Sequence, residues 1–523
     1  MAVVRVFPAA QSQCRTAPTG SSRPPAANGH GRIDSLKSVL HCTGQAAGST
    51  ATRPPGRTPQ NPTASSVSTA DHTPLIPRPA TAFECTSHDE QTSGATGMQP
   101  LRHATSLGVG ILMVCQATCA QIPQAAKGDW PWWRGPNFNG VAESDQQPPV
   151  SWNSTENVAW KAHVPGRGHS TPIVVGNRVF LQTANEIDRS QSIICFDRQT
   201  GTVLWNRELN RDSLQDQINR KNTYATSTIA CDRGRLFVLF SHHEAVQATA
   251  LDLEGKTLWT TTAAPFREDM YSNGYAASPL VYGNTVIIAA DCEAGGTLLA
   301  LDRDTGKQVW SIERVGKTNY ASPVVGHVAG RDQLLLSGLD MVASYDPTNG
   351  KLFWQAPAVA MQTSGTPVWE AGMVFAGGGY PTGSVAGIVA DGSAKIAWKH
   401  NHRIHEQSLL VYQGHVYGVN DTGIALCWET QTGKEVWKHR LKGPVSASPT
   451  LVGDKIYLVN ELGTTWVYRA TPRGYEELAV NQLGDSVFAS PTICGGQIFM
   501  RVAHHTNDER RETLYCLTSP NKR

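Results

Sequence analysis

The stretch from Ala277 to Trp310 contains a complete copy of the pattern that decides the fold. It opens with a small residue and a proline before an apolar run, Ala277-Ser278-Pro279-Leu280-Val281. A glycine turn and a second β-rich run follow, Gly283-Asn284-Thr285-Val286-Ile287-Ile288. It closes with Ala300-Leu301-Asp302-Arg303-Asp304-Thr305-Gly306-Lys307-Gln308-Val309-Trp310. Because Asp and Thr-Gly favour tight turns, the stretch predicts a small unit made only of strands.

The closing tryptophan recurs at intervals of about 40–55 residues. The copies are Trp160, Trp205, Trp259, Trp310, Trp354, Trp398 and Trp437. A degenerate copy follows near Tyr475, where the Thr-Gly-x-x-x-Trp pattern is lost. Repeats of this length, built from short strands and turns, predict an all-β fold. We expect an eight-bladed β-propeller with four-stranded antiparallel blades, and seven blades are the less favoured count.

The two ends of the repeat region are each incomplete. Trp160 closes a repeat that has no opening before it, whereas Leu514-Tyr515-Cys516-Leu517 reads as a third strand without a fourth. Joining the two makes one complete blade, so we expect the N-terminal strand to close the last blade. Such closure removes an open sheet edge. The seven tryptophans are then predicted to dock neighbouring blades, since each offers a large apolar face on an outer strand.

The chain of 523 residues divides into four predicted segments. Residues 1–97 are rich in Pro, Ser, Thr, Ala and Gly, so they read as a disordered or mis-assigned N-terminal extension. Residues 98–120 read as a signal peptide, with a short apolar run and a small-residue cleavage site before Gln121; an internal hydrophobic patch is the alternative. Residues 121–155 form a Trp-rich lead-in, and residues 156–520 form the propeller. The protein is therefore expected to be exported, and periplasmic or extracellular.

Composition excludes some classes of function. A formal net charge of +2 gives no electrostatic reason to expect nucleic acid as a partner, and no transmembrane segment is predicted. Six cysteines follow Cys119, without paired spacing, and read as buried apolar residues. One disulfide stays open, because Cys195 and Cys516 hold the same repeat position in neighbouring blades.

The Ala-x-Asp-x-x-Thr-Gly-x-x-x-Trp tail resembles the tryptophan-docking repeat of PQQ-like (quinoprotein-type) β-propellers. That family includes PQQ-dependent alcohol dehydrogenases and the outer-membrane assembly lipoprotein BamB. The resemblance covers roughly residues 150–520 and implies the propeller fold. The segment Trp130-Pro131-Trp132-Trp133-Arg134-Gly135-Pro136 is similar to exported members of the family. A shared fold does not fix a shared function.

The longer loops carry the first candidate site. In a four-stranded blade the second-to-third loops and the blade-to-blade connections share one face, and they vary here in length. Three consecutive connections carry an Asn/Tyr pair that could bind a polar organic ligand such as a sugar or a peptide, or could instead pack the loops. The six residues are Asn222, Tyr224, Asn273, Tyr275, Asn319 and Tyr320.

A second candidate site is a histidine-rich connection. His400, His402 and His405 could supply imidazoles to zinc or copper if the loop curls, although the spacing matches no established motif.

Quinone catalysis finds little support in the residues. The dehydrogenases resembled here use adjacent cysteines, a bound calcium and an Asp base, whereas this chain has no adjacent cysteines and its candidates Asp291 and Glu293 lack a partner motif. We therefore predict a non-catalytic propeller without a cofactor, which binds a protein partner or extended polar ligand in the cell envelope. The alternative is an oxidoreductase that uses PQQ with calcium, or a metal.

Overall fold

The computed structural model describes residues 122–519, apart from residues 213 and 508. The predictions for residues 1–97 and 98–120 lie outside the described residues. The described part contains 32 strands and no helix. The strands form eight four-stranded antiparallel sheets, which confirms the eight-bladed propeller.

Seven blades take their strands in chain order, with the innermost strand first. Blade I contains β2 (Ile173–Val175), β3 (Arg178–Asn185), β4 (Ser190–Asp197) and β5 (Val203–Arg211). Blade II contains β6 (Ala230–Asp232), β7 (Arg235–His242), β8 (Ala245–Asp252) and β9 (Thr257–Pro265). Blade III contains β10 (Leu280–Tyr282), β11 (Thr285–Ala290), β12 (Gly296–Asp302) and β13 (Gln308–Arg314). Blade IV contains β14 (Val324–Val328), β15 (Arg331–Gly338), β16 (Met341–Tyr345) and β17 (Leu352–Ala356).

The remaining blades repeat the arrangement. Blade V contains β18 (Val368–Glu370), β19 (Met373–Gly378), β20 (Ser384–Val389) and β21 (Ile396–His400). Blade VI contains β22 (Leu410–Tyr412), β23 (His415–Val419), β24 (Ile424–Glu429) and β25 (Glu435–Arg440). Blade VII contains β26 (Thr450–Val452), β27 (Lys455–Val459), β28 (Thr464–Arg469) and β29 (Glu477–Gln482). Blade VIII contains β30 (Thr492–Cys494), β31 (Gln497–Thr506), β32 (Glu509–Thr518) and β1 (Val158–Val164).

The ring closes through β1, which comes from the other end of the repeat region. It lies antiparallel to β32, with Trp160 opposite Cys516 and Val164 opposite Glu512. The prediction that the N-terminal strand completes the last blade is confirmed. The pairing covers a strand edge of the C-terminal hairpin that would otherwise be open.

A β-bulge explains the fixed spacing between Thr-Gly and Trp in the repeat. In blade III, Trp310 lies opposite Ala300 and Gln308 lies opposite Leu301, so Val309 is the extra residue. The outer strands of the other seven blades shift register at the same place. Because a bulge bends and twists its strand, it turns the following side chain toward the neighbouring blade.

Five of the seven tryptophans contact the glycine of the third-to-fourth turn in the next blade. A Cβ added to Gly306 would lie 2.7 Å from the ring of Trp259, and one added to Gly433 would lie 2.3 Å from Trp398. The indole N–H groups of Trp160, Trp205, Trp259, Trp398 and Trp437 also donate to a backbone carbonyl of the next blade, at 2.7–3.0 Å. Trp354 instead donates to Gln333 within its own blade, at 2.7 Å.

The structure confirms the prediction that the cysteines after Cys119 are buried among apolar residues. All six cysteines in the described residues are free and buried, so the disulfide between Cys195 and Cys516 does not form. Burial raises the pKa of the Cys195 and Cys516 thiols to about 12. These thiols are therefore protonated and unreactive at neutral pH. Within the described range, no helix has the length and apolar character needed to cross a membrane.

Candidate functional site

A pocket of about 480 Å³ lies at the mouth of the central channel. All eight blade-to-blade connections line it, together with Tyr380 and Asp421 from two second-to-third loops. We call this side the loop face, and the side with the first-to-second and third-to-fourth turns the turn face. The volume is within the usual range for ligand pockets, roughly 300–1,000 Å³.

The lead-in crosses the channel and forms the floor of the pocket. We call residues 130–142 the plug segment. Its Pro131 carbonyl accepts from the Cys231 N–H of blade II at 2.7 Å. The Arg134 guanidinium donates to the carbonyls of Leu409 and Pro449, which precede the innermost strands of blades VI and VII, at 3.0 and 2.8 Å. Blades II and VI lie on opposite sides of an eight-bladed ring, so the segment spans the channel.

Two neighbouring residues of the plug segment differ in what they face. Trp133 lines the pocket from below. Arg134 is buried, and this burial lowers the pKa of its guanidinium to about 9. Its carbonyl partners offset part of the cost of burying the charge.

A ring of hydroxyl groups surrounds the channel. A Ser or Thr stands two residues before the innermost strand of every blade. This hydroxyl ring consists of Thr171, Thr228, Ser278, Ser322, Thr366, Ser408, Ser448 and Ser490. Six of these residues donate their backbone N–H to the hydroxyl of the next blade, at 2.8–3.2 Å. The bonds satisfy backbone groups that no strand covers on the channel side.

Three of the six predicted Asn/Tyr residues line the pocket, namely Asn222, Asn273 and Tyr320. They are linked to one another, since the Asn222 amide donates to the Asn273 carbonyl and the Asn273 amide donates to the Tyr320 hydroxyl at 2.7 Å. Apart from His405 of the second candidate site, most of the lining was missed at the sequence level, including Trp133, His169 and Gln362.

The other three Asn/Tyr residues satisfy the loops instead. Tyr224 donates to the Gln215 carbonyl at 2.7 Å, and the buried Tyr275 donates to the Ala289 carbonyl at 3.0 Å. Asn319 is buried and donates to the Ser337 carbonyl at 2.9 Å. None of the three is part of the pocket lining.

The three histidines predicted as metal ligands do not converge. His400 lies against Trp398 with its Nε2 atom 2.6 Å from the Gly433 carbonyl oxygen, and His402 lies 3.6 Å from a carboxylate oxygen of Glu435. Only His405 lines the pocket. Across residues 122–519, with the two gaps noted above, no group of three or more His, Cys, Asp or Glu could hold a metal ion. His400 is the last residue of β21, whereas His402 and His405 lie in the connection that follows.

Five side chains of the pocket have a buried polar atom without a hydrogen-bond partner among the described residues. The atoms are Trp133 Nε1, His169 Nε2, Thr171 Oγ1, Gln362 Nε2 and His405 Nε2. His169 comes from the connection between blades VIII and I, and Gln362 from the connection between blades IV and V, on opposite sides of the ring. A buried polar atom without a partner costs about 1–3 kcal/mol, which a bound ligand could recover.

The charges of the pocket are paired with one another. Lys221 lies 2.7 Å from Glu461 and 3.4 Å from Glu406, and Arg403 lies 3.0 Å from Asp421. Burial is the largest cause that raises the pKa of Asp421, and it also lowers the pKa of His405. Burial and the nearby Arg167 hold the pKa of His169 well below its usual range, so both imidazoles are neutral at pH 7.

The wall beside Tyr320 contains a carboxyl group with an unusual pKa. Glu268 accepts from the Tyr320 hydroxyl at 2.9 Å and also from the Gly274 N–H. Burial, and to a smaller extent the neighbouring Glu293, raises its pKa to about 7. Glu268 therefore changes charge near neutral pH.

A family model described as outer membrane protein assembly factor BamB matches residues 141–225, 189–386 and 381–472. Together these ranges cover more than half of the chain. The chain belongs to the PQQ-like β-propeller family. A comparison with curated protein sequences finds no match.

Solved structures show the same fold as this PQQ-like propeller. A europium-containing methanol dehydrogenase is 12% identical with a TM-score of 0.54, and the match covers 75% of this chain and 98% of that one. Quinohemoprotein alcohol dehydrogenase from Comamonas testosteroni is 14% identical with a TM-score of 0.50, covering 75% and 81%. BamB from Moraxella catarrhalis is 14% identical with a TM-score of 0.49, covering 70% and 98%. Family membership therefore establishes the architecture, which the two dehydrogenases share.

The donor set of this PQQ-like propeller does not match the calcium site that the resemblance implies. Asp291 forms a buried ion pair with Arg314 at 2.8 Å, and Glu293 accepts from the Asp269 N–H at 3.2 Å. Neither residue lines the pocket. The pocket carboxylates Glu406 and Asp421 each lie against a cation, which leaves little negative charge to attract a metal.

Proposed function

We propose that this propeller is an exported, non-catalytic binding protein, which binds a protein partner or an extended polar ligand of the cell envelope at its loop face. The observation that carries the proposal is the loop-face pocket, in which five buried polar atoms of the described residues lack a partner. The rigid blades hold these groups in place while the variable connections present them, which is how propeller-like scaffolds display binding residues.

The rim of the pocket supports contact with a partner larger than the pocket. Tyr271 and Tyr380 meet edge to face at 6.1 Å between ring centroids. Exposed apolar side chains stand on the surrounding loops, with Met270 73% and Leu462 54% exposed. Aromatic and apolar residues around a concave site are typical of binding surfaces.

The envelope location follows the family and the predicted signal peptide. The matched family model describes an outer-membrane assembly factor, and an export signal would deliver this chain to the same compartment. We also propose that the pocket takes no PQQ, because the cofactor carries three carboxylates and both cations of the pocket already have carboxylate partners.

The test is retention of envelope components on the immobilised full chain. The double substitution Tyr271→Ala and Tyr380→Ala should abolish retention, since it removes the aromatic rim. The control is Val309→Ala with Leu352→Ala, which alters exposed apolar residues on outer strands far from the pocket. Equal retention by the rim variant and the unmodified chain would contradict a loop-face site. Dye-linked alcohol oxidation after loading with PQQ and calcium would overturn the non-catalytic proposal.

A further inference from the structure

We propose that the pocket binds an uncharged, hydroxyl-rich ligand, and specifically the end of a neutral oligosaccharide. The inference rests on the proposed function and names the ligand class of the same site.

The charged side chains of the pocket lining are paired with one another. The charged side chains of the pocket lining are Lys221, Arg403, Glu406 and Asp421, two of each sign. Each lies within 3.4 Å of an opposite charge. A charged ligand would have to compete with an existing partner for one of these side chains or remain unpaired in a partly enclosed site. An uncharged ligand meets neither penalty.

The polar atoms of the pocket residues that lack hydrogen-bond partners suit a ligand with hydroxyl groups. Trp133 Nε1 and Gln362 Nε2 are donors, whereas the Nε2 atoms of His169 and His405 donate or accept according to tautomer. A sugar hydroxyl can donate and accept at once, so a single kind of ligand group suits these four atoms and the Thr171 hydroxyl as well. The residues that carry these four nitrogen atoms come from the plug segment and from three of the eight connections, so a ligand in the pocket lies among all of them.

Aromatic residues contribute apolar surface to the same pocket. Trp133, Phe488 and Tyr320 are aromatic residues of the pocket lining. Phe488 stacks on His169, with ring centroids 4.5 Å apart and planes 15° apart. Such flat surfaces suit the C–H face of a pyranose, and the volume of about 480 Å³ admits a short oligosaccharide rather than a folded domain.

A peptide is the less suitable neutral ligand. Peptides commonly bind by adding a strand to an exposed sheet edge, which requires free backbone groups. In this channel the hydroxyl ring already accepts the backbone N–H of six blade entries. The innermost strands are only three residues long in seven of the eight blades, so little edge remains for strand addition.

The experiment is calorimetric titration of the full chain with defined probes. The panel contains maltotriose, cellotriose and triacetylchitotriose as neutral sugars, trigalacturonate as an acidic sugar, N-acetylated and C-amidated trialanine as a neutral peptide, and PQQ. We expect at least one neutral trisaccharide to bind, and the other probes to bind at least tenfold more weakly. Binding of none of the neutral sugars, or tighter binding of trigalacturonate, peptide or PQQ, would overturn the inference.

Substitutions in and outside the pocket test whether the sugar binds there. Gln362→Leu removes a donor of the pocket and should weaken sugar binding about tenfold. Gln199→Leu, at an exposed turn on the other face, is the matched control and should leave affinity unchanged. Ala276→Phe fills the pocket and should abolish binding even if Gln362→Leu folds poorly. If the sugars fail while retention of envelope components still depends on Tyr271 and Tyr380, the ligand class is wrong and the proposed function stands.

Discussion

The glycine of each Thr-Gly turn has two structural roles. It adopts a positive φ, for example +69° at Gly433, and it leaves room for the tryptophan of the preceding blade. Only glycine meets both needs without strain. The repeat therefore retains this residue for the turn and for the blade interface at once.

Substitution can separate the two roles. Gly433→Ala and Gly414→Ala both place a Cβ at positive φ, +69° and +77°, but only the first Cβ would clash, 2.3 Å from Trp398. We expect Gly433→Ala to lower the free energy of unfolding by about 1–3 kcal/mol more than Gly414→Ala. Urea denaturation measures the difference. Equal losses would show that the indole contact adds nothing to the requirement for glycine.

Glu268 should make stability depend on pH. Its pKa is 4.5 as an ordinary side chain and about 7 in the folded protein, so the folded state binds more protons between these values. Its contribution to the free energy of unfolding is fully present below about pH 4.5 and is lost as pH rises through about 7. The neutral His169 and His405 contribute in the opposite direction, because their pKa values are lowered.

The substitution Glu268→Gln isolates this contribution. The parent chain should lose unfolding free energy relative to the variant as pH rises from 5 to 8. Urea denaturation of both proteins at each pH measures this change. A difference that is constant with pH would mean that Glu268 titrates normally.

At the scale of elements, the plug segment makes a closed-ended pocket out of an open channel. Arg134 bonds to the carbonyls of two blades and to the Asn139 carbonyl of its own segment. Arg134→Met keeps much of the volume but leaves buried carbonyls without donors. We expect it to lower the unfolding free energy by about 2–4 kcal/mol, whereas Arg473→Met at an exposed loop should have no effect. Equal stability of the two variants would contradict a structural plug.

The connection between blades I and II, residues 212–229, is held across the mouth of the pocket by Lys221. This lysine contacts Glu406, from the connection on the opposite side of the ring, and Glu461, from the second-to-third loop of blade VII. Because the ion pairs are partly exposed, their loss should change global stability little. We expect Lys221→Met to speed amide hydrogen exchange in residues 214–224. Lys317→Met, which breaks a comparable pair with Asp340, should leave the exchange rates of this connection unchanged. Equal exchange in both variants would contradict the role of Lys221 in holding the connection.

Sequence patterns predicted elements better than loops. The Asp, Thr-Gly and Trp of the repeat act within one turn or between adjacent blades, so their spacing alone predicts the strands and their docking. Whether a loop residue faces the pocket depends on the path of the connection. Asn273 and Tyr275 are two residues apart, yet only Asn273 lines the pocket. The Ser or Thr before each innermost strand is visible in the sequence. That its hydroxyl accepts a hydrogen bond from the neighbouring blade could be seen only in the folded ring.

For the molecule as a whole, closure of the ring gives the site its form. Eight connections converge only because β1 completes the last blade, and the plug segment can span the channel only because opposite blades are fixed relative to each other. The blade count and the closing strand were predictable from the unmatched ends of the repeat. The position of the lead-in was not, since no periodic signal relates Trp133 or Arg134 to the blades that they contact.

We propose that the loop-face pocket is the binding site of this propeller. Amide hydrogen exchange of the full chain, with and without the envelope component that it retains, tests this claim most directly. We expect slower exchange in the connections at residues 219–228, 271–278 and 362–364, and no change in the turns at residues 197–202 and 302–307. Protection of those turns or of the outer strands, with the connections unchanged, would contradict it.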